Sequence, residues 1–158
     1  MTQSIISFEE LRNKDVAIVG GKNASLGEMI SQLKAKGVRV PTGFATTADA
    51  FNNFLAQDRL GEKIEHELKD LDVNDVVKLA DSGKKIRKWI LDTSFSQDFE
   101  DNIKNHYDKL LEKSPKGTTF AVRSSATAED LPDASFAGQQ ESFLNIHGID
   151  NIRHAIKE

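Results

Sequence analysis

The chain has 158 residues, with 21 basic and 25 acidic side chains, a net charge of −4 and no cysteine. This length fits one domain or a large part of one. The acidic balance argues against nucleic acid as the main partner, and the lack of cysteine excludes disulfides and thiolate metal sites. No apolar segment approaches the roughly 20 residues that cross a bilayer, and no signal peptide is visible, so we expect a cytoplasmic protein without a membrane partner.

The first distinctive stretch predicts a buried strand over residues 15–19 that ends at Gly20 and Gly21. A strand, a glycine turn and a helix start would aim backbone N–H groups at the space before the helix, where the helix dipole favours an anion. Lys22 would add a positive charge, although the spacing differs from that of a Walker A loop. The alternative is a tight turn followed by an exposed lysine.

A helix is predicted over residues 24–36, because apolar residues recur there at helical spacing. Ser25 and Glu28 have the spacing of a capping box. Gly37 stands where a helix end favours a left-handed residue. The apolar residues are Leu26, Met29, Ile30 and Leu33.

Two short strands, at residues 38–40 and around Phe44, are predicted on either side of a turn. Thr46 or Thr47 can then cap a helix. We assign three of that helix's apolar residues to the core: Phe51, Phe54 and Leu55.

Residues from about 58 to 113 predict charged, amphipathic helices that pack on one another. Ser96 is the predicted N-cap of the last of them. The apolar stripes are Leu60, Ile64 and Leu68; Val73, Val76, Val77, Ala80, Ile86, Ile90 and Leu91; and Phe99, Ile103, Tyr107, Leu110 and Leu111.

The histidines of this segment give no metal prediction. His66 has Glu62 and Asp70 one helical turn away on either side, which is at most a weak ligand set. Neither His66 nor His106 has a second histidine at ligand spacing. We therefore interpret both as surface residues and predict no metal ligand in this chain.

The second distinctive stretch predicts a strand at residues 119–122, a loop of small polar residues, and a return strand at residues 140–146. Such a loop can hold a polar ligand against backbone groups. Arg123, at the end of the first strand, would supply a planar cation suited to phosphate oxygens. The alternative is a surface arginine beside a solvated loop. Another amphipathic helix begins at Ile149.

Together these stretches resemble the N-terminal nucleotide-binding region of the pyruvate phosphate dikinase and phosphoenolpyruvate synthase family. The resemblance is carried by three blocks, which come in the family's order and span most of the chain. They are residues 20–29 (Gly-Gly-Lys-Asn-Ala-Ser-Leu-Gly-Glu-Met), 40–47 (Val-Pro-Thr-Gly-Phe-Ala-Thr-Thr), and 122–132 with 134–140 (from Val-Arg-Ser-Ser-Ala-Thr to Phe-Ala-Gly-Gln-Gln).

The resemblance implies an α+β (α/β) fold: the first subdomain of an ATP-grasp-type nucleotide-binding domain, with a small sheet and an inserted or appended helical bundle. Residues 1–158 would form the N-terminal part of that domain, with ATP lying between this part and a second subdomain. The chain ends within a helix and is much shorter than such enzymes, so we expect a truncated piece.

The same resemblance implies roles for four residues. Lys22 would contact the ATP phosphates, and Arg123 would hold the terminal phosphate. Gly138 would allow close approach of the loop backbone. Ser142, where relatives often carry Thr, would add a hydroxyl contact. No catalytic residue is assigned within the chain.

For the whole enzyme, the resemblance implies phosphorylation of pyruvate to phosphoenolpyruvate with ATP and water, giving AMP and phosphate through a phosphohistidine. Pyruvate, the Mg²⁺ ligands, the second ATP-binding subdomain and the phosphohistidine domain would all belong to missing parts, so the isolated chain is expected to be inactive. Two alternatives remain open: a related enzyme such as a rifampicin phosphotransferase, and a stand-alone nucleotide-binding module.

Overall fold

The computed structural model describes residues 3–127, 130–131, 134–135 and 141–158. These residues mix helices with short strands, which confirms the predicted α+β class. The helices are α1 (Val16–Val19), α2 (Gly21–Leu33), α3 (Ala48–Ala56), α4 (Leu60–Leu68), α5 (Val76–Asp92), α6 (Gln97–Glu112) and α7 (Ile149–Lys157). The strands are β1 (Ile5–Ser7), β2 (Phe44–Thr46), β3 (Phe120–Arg123), β4 (Asp130–Leu131), β5 (Ala134–Ser135) and β6 (Ser142–Ile146). Among the described residues, no helix combines the length and apolar character that crossing a membrane requires.

The strands pair two by two instead of forming the single small sheet that we expected. Within the described residues, β1 pairs with β2, β3 with β6 and β4 with β5, all antiparallel. A two-stranded ladder is only marginally stable by itself in water. The helices packed against β1, β3 and β6 therefore hold these ladders in place.

The larger of two apolar clusters, called here the helical core, joins α3, α4, α6 and α7 to β1. Ile103 of α6 is fully buried at its centre. Phe54 and Phe95 meet edge to face, with their ring centroids 5.3 Å apart. The buried members are Ile5, Phe54, Leu60, Phe95, Ile103, Tyr107 and Ile152.

The smaller cluster, called here the N-terminal core, lies beneath α1 and α2. Its buried members are Leu11, Val19, Ala24 and Ala45. β1 separates the two cores, because successive side chains of a strand point to opposite faces. Ile5 belongs to the helical core, whereas Ile6 packs against the N-terminal core.

The strand predicted at residues 15–19 is wrong, because this run forms a 3-10 turn followed by helix α1. Asp15 ends a 3-10 turn that spans Asn13–Asp15, and its carboxylate accepts a 2.8 Å hydrogen bond from the Arg12 N–H. The Gly20 N–H closes α1 on the Val16 carbonyl at 2.8 Å. Val19 is buried, but Val16 and Ile18 are 37% and 44% exposed. Four apolar residues in a row, Val16–Val19, do not distinguish a strand from a short helix by periodicity.

The strand predicted at residues 38–40 is also wrong, because Val38 closes the preceding helix. Gly37 is left-handed (φ 77°), as predicted. The Gly37 N–H donates to the Lys34 carbonyl at 3.1 Å, and the Val38 N–H donates to the Leu33 carbonyl at 3.2 Å. These two bonds form a Schellman motif, which uses the donor that a strand would have needed.

The capping residues were predicted correctly for two helices and incorrectly for α2. The hydroxyl oxygen of Thr47 accepts from the Ala50 N–H in α3, and that of Ser96 accepts from the Phe99 N–H in α6. Helix α2 begins at Gly21, so Ser25 and Glu28 lie inside it. The Glu28 carboxylate instead accepts from the Asn13 N–H at 3.2 Å and from the Gln32 amide at 3.0 Å.

The helices predicted between residues 58 and 113 are confirmed as α4, α5 and α6, but two apolar groups are less buried than expected. Val73, Val76 and Val77 are each about 70% exposed, at 69%, 73% and 72%. They lie where α5 begins, beyond the reach of the helical core. Phe51 of α3, assigned to the core, is 60% exposed.

Candidate functional site

The two distinctive sequence stretches meet where α1 gives way to α2. Gly20 joins these helices with φ 80° and ψ 162°, a conformation that is essentially restricted to glycine. A Cβ atom at Gly20 would lie 2.2 Å from the Ser125 carbonyl oxygen and 2.4 Å from Ser125 Oγ. Glycine is therefore required here both by the backbone angles and by the close approach of a loop from the far end of the chain.

Two hydrogen bonds fasten that loop to the first turn of α2. The Gly21 N–H donates to the Ala126 carbonyl at 3.2 Å, and the Asn23 N–H donates to Ser125 Oγ at 3.2 Å. We call this set of contacts, made by Gly20, Gly21 and Asn23 with Ser125 and Ala126, the clamp.

The clamp changes the predicted anion site at the helix start. The expected strand, glycine turn and helix are replaced by two helices joined at Gly20. The N–H groups of Gly21 and Asn23, which were expected to face an anion, bind the loop instead. Lys22 lies between them and is half-buried. Any contribution of this turn to phosphate binding therefore comes from the Lys22 side chain more than from those two amides.

Arg123 and Ser142 are brought together by the hairpin of β3 and β6. They are directly opposite each other in the ladder, and both are exposed. Opposed residues project from the same face of an antiparallel pair. The half-buried side chains of Val122 and Phe143, which also pair, alternate with them. The predicted strand and return strand are thus confirmed as β3 and β6, with Arg123 beside Ser142. The described residues of the loop predicted between them include the short β4–β5 ladder.

Bond lengths limit how far apart Lys22 and Arg123 can be. Lys22 is the neighbour of Asn23, and Arg123 is two residues before Ser125. Because the Asn23 nitrogen and Ser125 Oγ are 3.2 Å apart, the two Cα atoms lie within about 15 Å of each other, from standard backbone dimensions. Side chains as long as lysine and arginine can reach a common ligand across that distance. Gly138 lies outside the described residues.

The other candidate residues do not form a metal site. No group of three or more His, Asp or Glu side chains in the described part of the chain could hold a metal ion. His66 lines a hollow of about 380 Å³ with Glu62, Glu67 and three other residues. His106 Nδ1 is 2.9 Å from the Asn102 carbonyl, and its ring packs against Phe44. His106 is half-buried, so its assignment as a surface residue holds only in part.

Asn23 and Ser125 received no role from the sequence, yet both belong to the clamp. Their hydrogen bond joins residues 102 positions apart. Its donor is a backbone N–H and its acceptor is a single serine hydroxyl, so no sequence pattern marks either partner. The only signal in the sequence was Gly20. A glycine at a helix start can indicate close approach of another segment, although it does not identify that segment.

Comparison with known proteins supplies the family. A family model described as the pyruvate phosphate dikinase, AMP/ATP-binding domain, matches residues 16–158. The chain belongs to this family. The match confirms the resemblance drawn from the three blocks and includes the clamp and the hairpin.

The relatives are similar along almost the whole chain. A phosphoenolpyruvate synthase of Neisseria meningitidis is 59% identical over 153 residues, which is 96% of this chain and 19% of the relative. The corresponding enzyme of Escherichia coli is 52% identical over 153 residues, or 97% of this chain and 19% of the relative. That of Pseudomonas aeruginosa is 51% identical over 158 residues, covering 100% of this chain and 20% of the relative. The chain thus spans about a fifth of the length of these dikinase-family relatives.

Proposed function

We propose that the chain is the first part of the ATP-binding domain of a phosphoenolpyruvate synthase, in an ATP-grasp-type arrangement. Residues 1–158 contribute one wall of the nucleotide site. The relatives named above are all synthases, which favours this acceptor chemistry over rifampicin phosphorylation. The high identity over nearly the whole chain also favours an enzyme part over a stand-alone module.

The clamp is the observation that carries this proposal. It joins the segment that bears Lys22 to the segment that bears Arg123 by two hydrogen bonds. Without that contact, two cations 101 positions apart would have no reason to share a ligand. Two positive side chains on separate elements suit a polyphosphate, because phosphoryl transfer depends mainly on positioning and charge neutralisation.

Each candidate residue has a distinct role in the proposed site. Lys22 contacts the phosphates as a point charge, and Arg123 holds the terminal phosphate with its planar guanidinium. Ser142, opposite Arg123, adds a hydroxyl contact with the nucleotide. Gly138 lets the loop backbone approach the ligand without steric conflict.

The remaining chemistry belongs to parts of the enzyme outside this chain. The described residues do not form a Mg²⁺ site, and we place its ligands in the second ATP-binding subdomain. A phosphohistidine domain would carry the phosphoryl group to pyruvate, yielding phosphoenolpyruvate, AMP and phosphate in a cytoplasmic enzyme. This chain alone is then inactive and binds ATP weakly, because only one wall of the cleft is present.

Titration of the ¹⁵N-labelled chain with MgATP, followed by NMR, tests the site. We expect the amide signals of Gly21, Lys22 and Arg123 to shift, with a dissociation constant in the millimolar range. Lys22→Met and Arg123→Met should each weaken binding about tenfold, since each removes a charge-assisted hydrogen bond.

Lys84→Met and Arg87→Met are the matched controls. Both residues are exposed on α5, which packs against α4 and α7. They should leave ATP binding unchanged. Shifts confined to other parts of the chain, or equal losses in the control variants, would refute the site. A micromolar affinity would instead refute the idea that half of the site is missing.

A further inference from the structure

Helix α2 is capped differently from the other capped helices in the described residues. The N-cap side chains of α3, α5 and α6 each accept a hydrogen bond from the N–H three residues later. The N-cap of α2 is Gly20, which has no side chain to do this. The hydroxyl of Ser125 supplies the missing acceptor from 102 positions away. The cap of α2 is therefore a tertiary contact that connects two functional segments.

We infer that Ser125 is a positioning residue for nucleotide binding: it fixes Lys22 relative to Arg123 without touching the ligand. This inference rests on the proposed function. Ser125 Oγ accepts from the N–H of Asn23, which follows Lys22 directly, while Arg123 is two residues before Ser125. This hydroxyl, together with the hydrogen bond from the Gly21 N–H to the Ala126 carbonyl, sets the spacing between the backbone segments that carry the two cations.

The surroundings of Ser125 support a positioning role over direct ligand contact. Its carbonyl and its Oγ both lie against the Cα of Gly20, with an added Cβ only 2.2 and 2.4 Å from them. Both oxygens are therefore directed at the start of α2. The adjacent Ala126 carbonyl is also occupied, by the Gly21 N–H.

Alignment of this kind matters because phosphate recognition depends on geometry. A cation held in its binding position loses less conformational freedom when the ligand arrives. If the clamp loosens, Lys22 and Arg123 retain their charges but no longer keep a fixed separation. Binding of the phosphate chain should then weaken while the charges remain unchanged.

ATP and inorganic tripolyphosphate titrations of the 158-residue chain, followed by NMR, test this role in the wild type, Ser125→Ala and Ser125→Thr. Ser125→Ala should weaken the binding of both ligands by the same factor, about three- to tenfold, as expected for one hydrogen bond. Ser125→Thr keeps the hydroxyl and should bind both ligands within about twofold of the wild type.

Ser96→Ala is the control for a purely structural effect. Ser96 caps α6 through the Phe99 N–H, so its removal lowers stability without touching the clamp. It should leave both affinities unchanged. If Ser125→Ala binds ATP as the wild type does, or if Ser125→Thr loses affinity as much as Ser125→Ala, the positioning role is wrong. A wild-type chain that shows no ATP-dependent shifts would reject the proposed function and this inference with it.

Discussion

At the scale of single residues, the glycines in the described part of the chain with the least room for a Cβ atom are Gly20 and Gly27, at the start of α2 and inside it. Gly27 lies inside α2, where the helix crosses the chain at Leu11. An added Cβ at Gly27 would be 2.5 Å from Leu11 Cβ and 2.6 Å from the Leu11 carbonyl oxygen. Because those neighbours include backbone atoms, the structure cannot relieve the contact by rotating a flexible side chain.

We predict that Gly27→Ala destabilises the chain by about 1–3 kcal/mol, the usual cost of overpacking a close contact. Gly21→Ala, in the same helix, is the control, because nothing lies within 4 Å of a Cβ added there. It should be neutral or stabilising by up to about 1 kcal/mol. Urea denaturation of the three proteins measures both values. Equal stability of the two variants would mean that α2 does not pack this closely on Leu11.

The residue scale also shows what could be predicted about the candidate site. Lys22 and Arg123 could be selected because a charged residue at a turn or strand end is visible in the sequence. The Asn23 to Ser125 contact could not be predicted, because it depends on the path of the chain across 102 positions. The two strands of the hairpin were recognisable as apolar runs, but the register that places Arg123 opposite Ser142 comes from the structure.

At the scale of elements, α4 and α5 are joined by a polar link besides their apolar contacts. The Glu67 carboxylate accepts from Ser82 Oγ at 2.8 Å and from Lys85 Nζ at 3.0 Å. Ser82 is 6% exposed, so its hydroxyl depends on this acceptor. The hydrogen bond from Ser82, followed by that from Lys85, lowers the pKa of Glu67.

This shift predicts how stability depends on pH. A carboxyl with a lowered folded-state pKa stabilises the fold above its unfolded pKa of about 4.3, and this contribution is lost as the pH falls through the folded value. Replacing Glu67 by Gln should therefore destabilise the chain at pH 7 and have a smaller effect at pH 3. Thermal unfolding between pH 3 and 7 measures the difference. Glu65→Gln, on an exposed position of α4, should show no such pH dependence; an equal dependence in both variants would exclude the link.

The secondary structure of segments with long apolar stripes could be predicted from the sequence, whereas that of segments with short apolar runs could not. Helix α6 followed from five apolar residues at helical spacing, and its cap Ser96 was identified correctly. The run at residues 15–19 was too short for its period to be decisive, and the Asp15 turn converted it into a helix. Val76 and Val77 matched a helical stripe, but within the described ranges no element covers the start of α5, and both side chains stay exposed.

At the scale of the whole molecule, the two cores differ in size. The helical core has seven buried members, several of them aromatic, whereas the N-terminal core has four, of which Ala24 and Ala45 are small. Apolar area determines most of the packing energy. The segment that carries Lys22 therefore rests on the weaker core, while β3 and β6 pack through Phe120, Val122 and Ile146 against the stronger one.

This asymmetry predicts that α2 opens more readily than α6. Native-state hydrogen exchange should give a lower opening free energy for α2 amides than for α6 amides, because local opening breaks only the smaller cluster and the clamp. Leu11→Ala removes the largest buried side chain of the N-terminal core and should lower the opening free energy of α2 amides by about 2–5 kcal/mol. Amides of α6 should lose protection in this variant only where they exchange through global unfolding of the chain. Ile103→Ala, the matching truncation in the helical core, should lower α6 protection by a similar amount. If α2 and α6 amides of the wild type exchange with the same opening free energy, the two cores unfold as one unit and the prediction is wrong. If α2 opens more readily, ATP bound at Lys22 should raise the protection of α2 amides more than that of α6 amides.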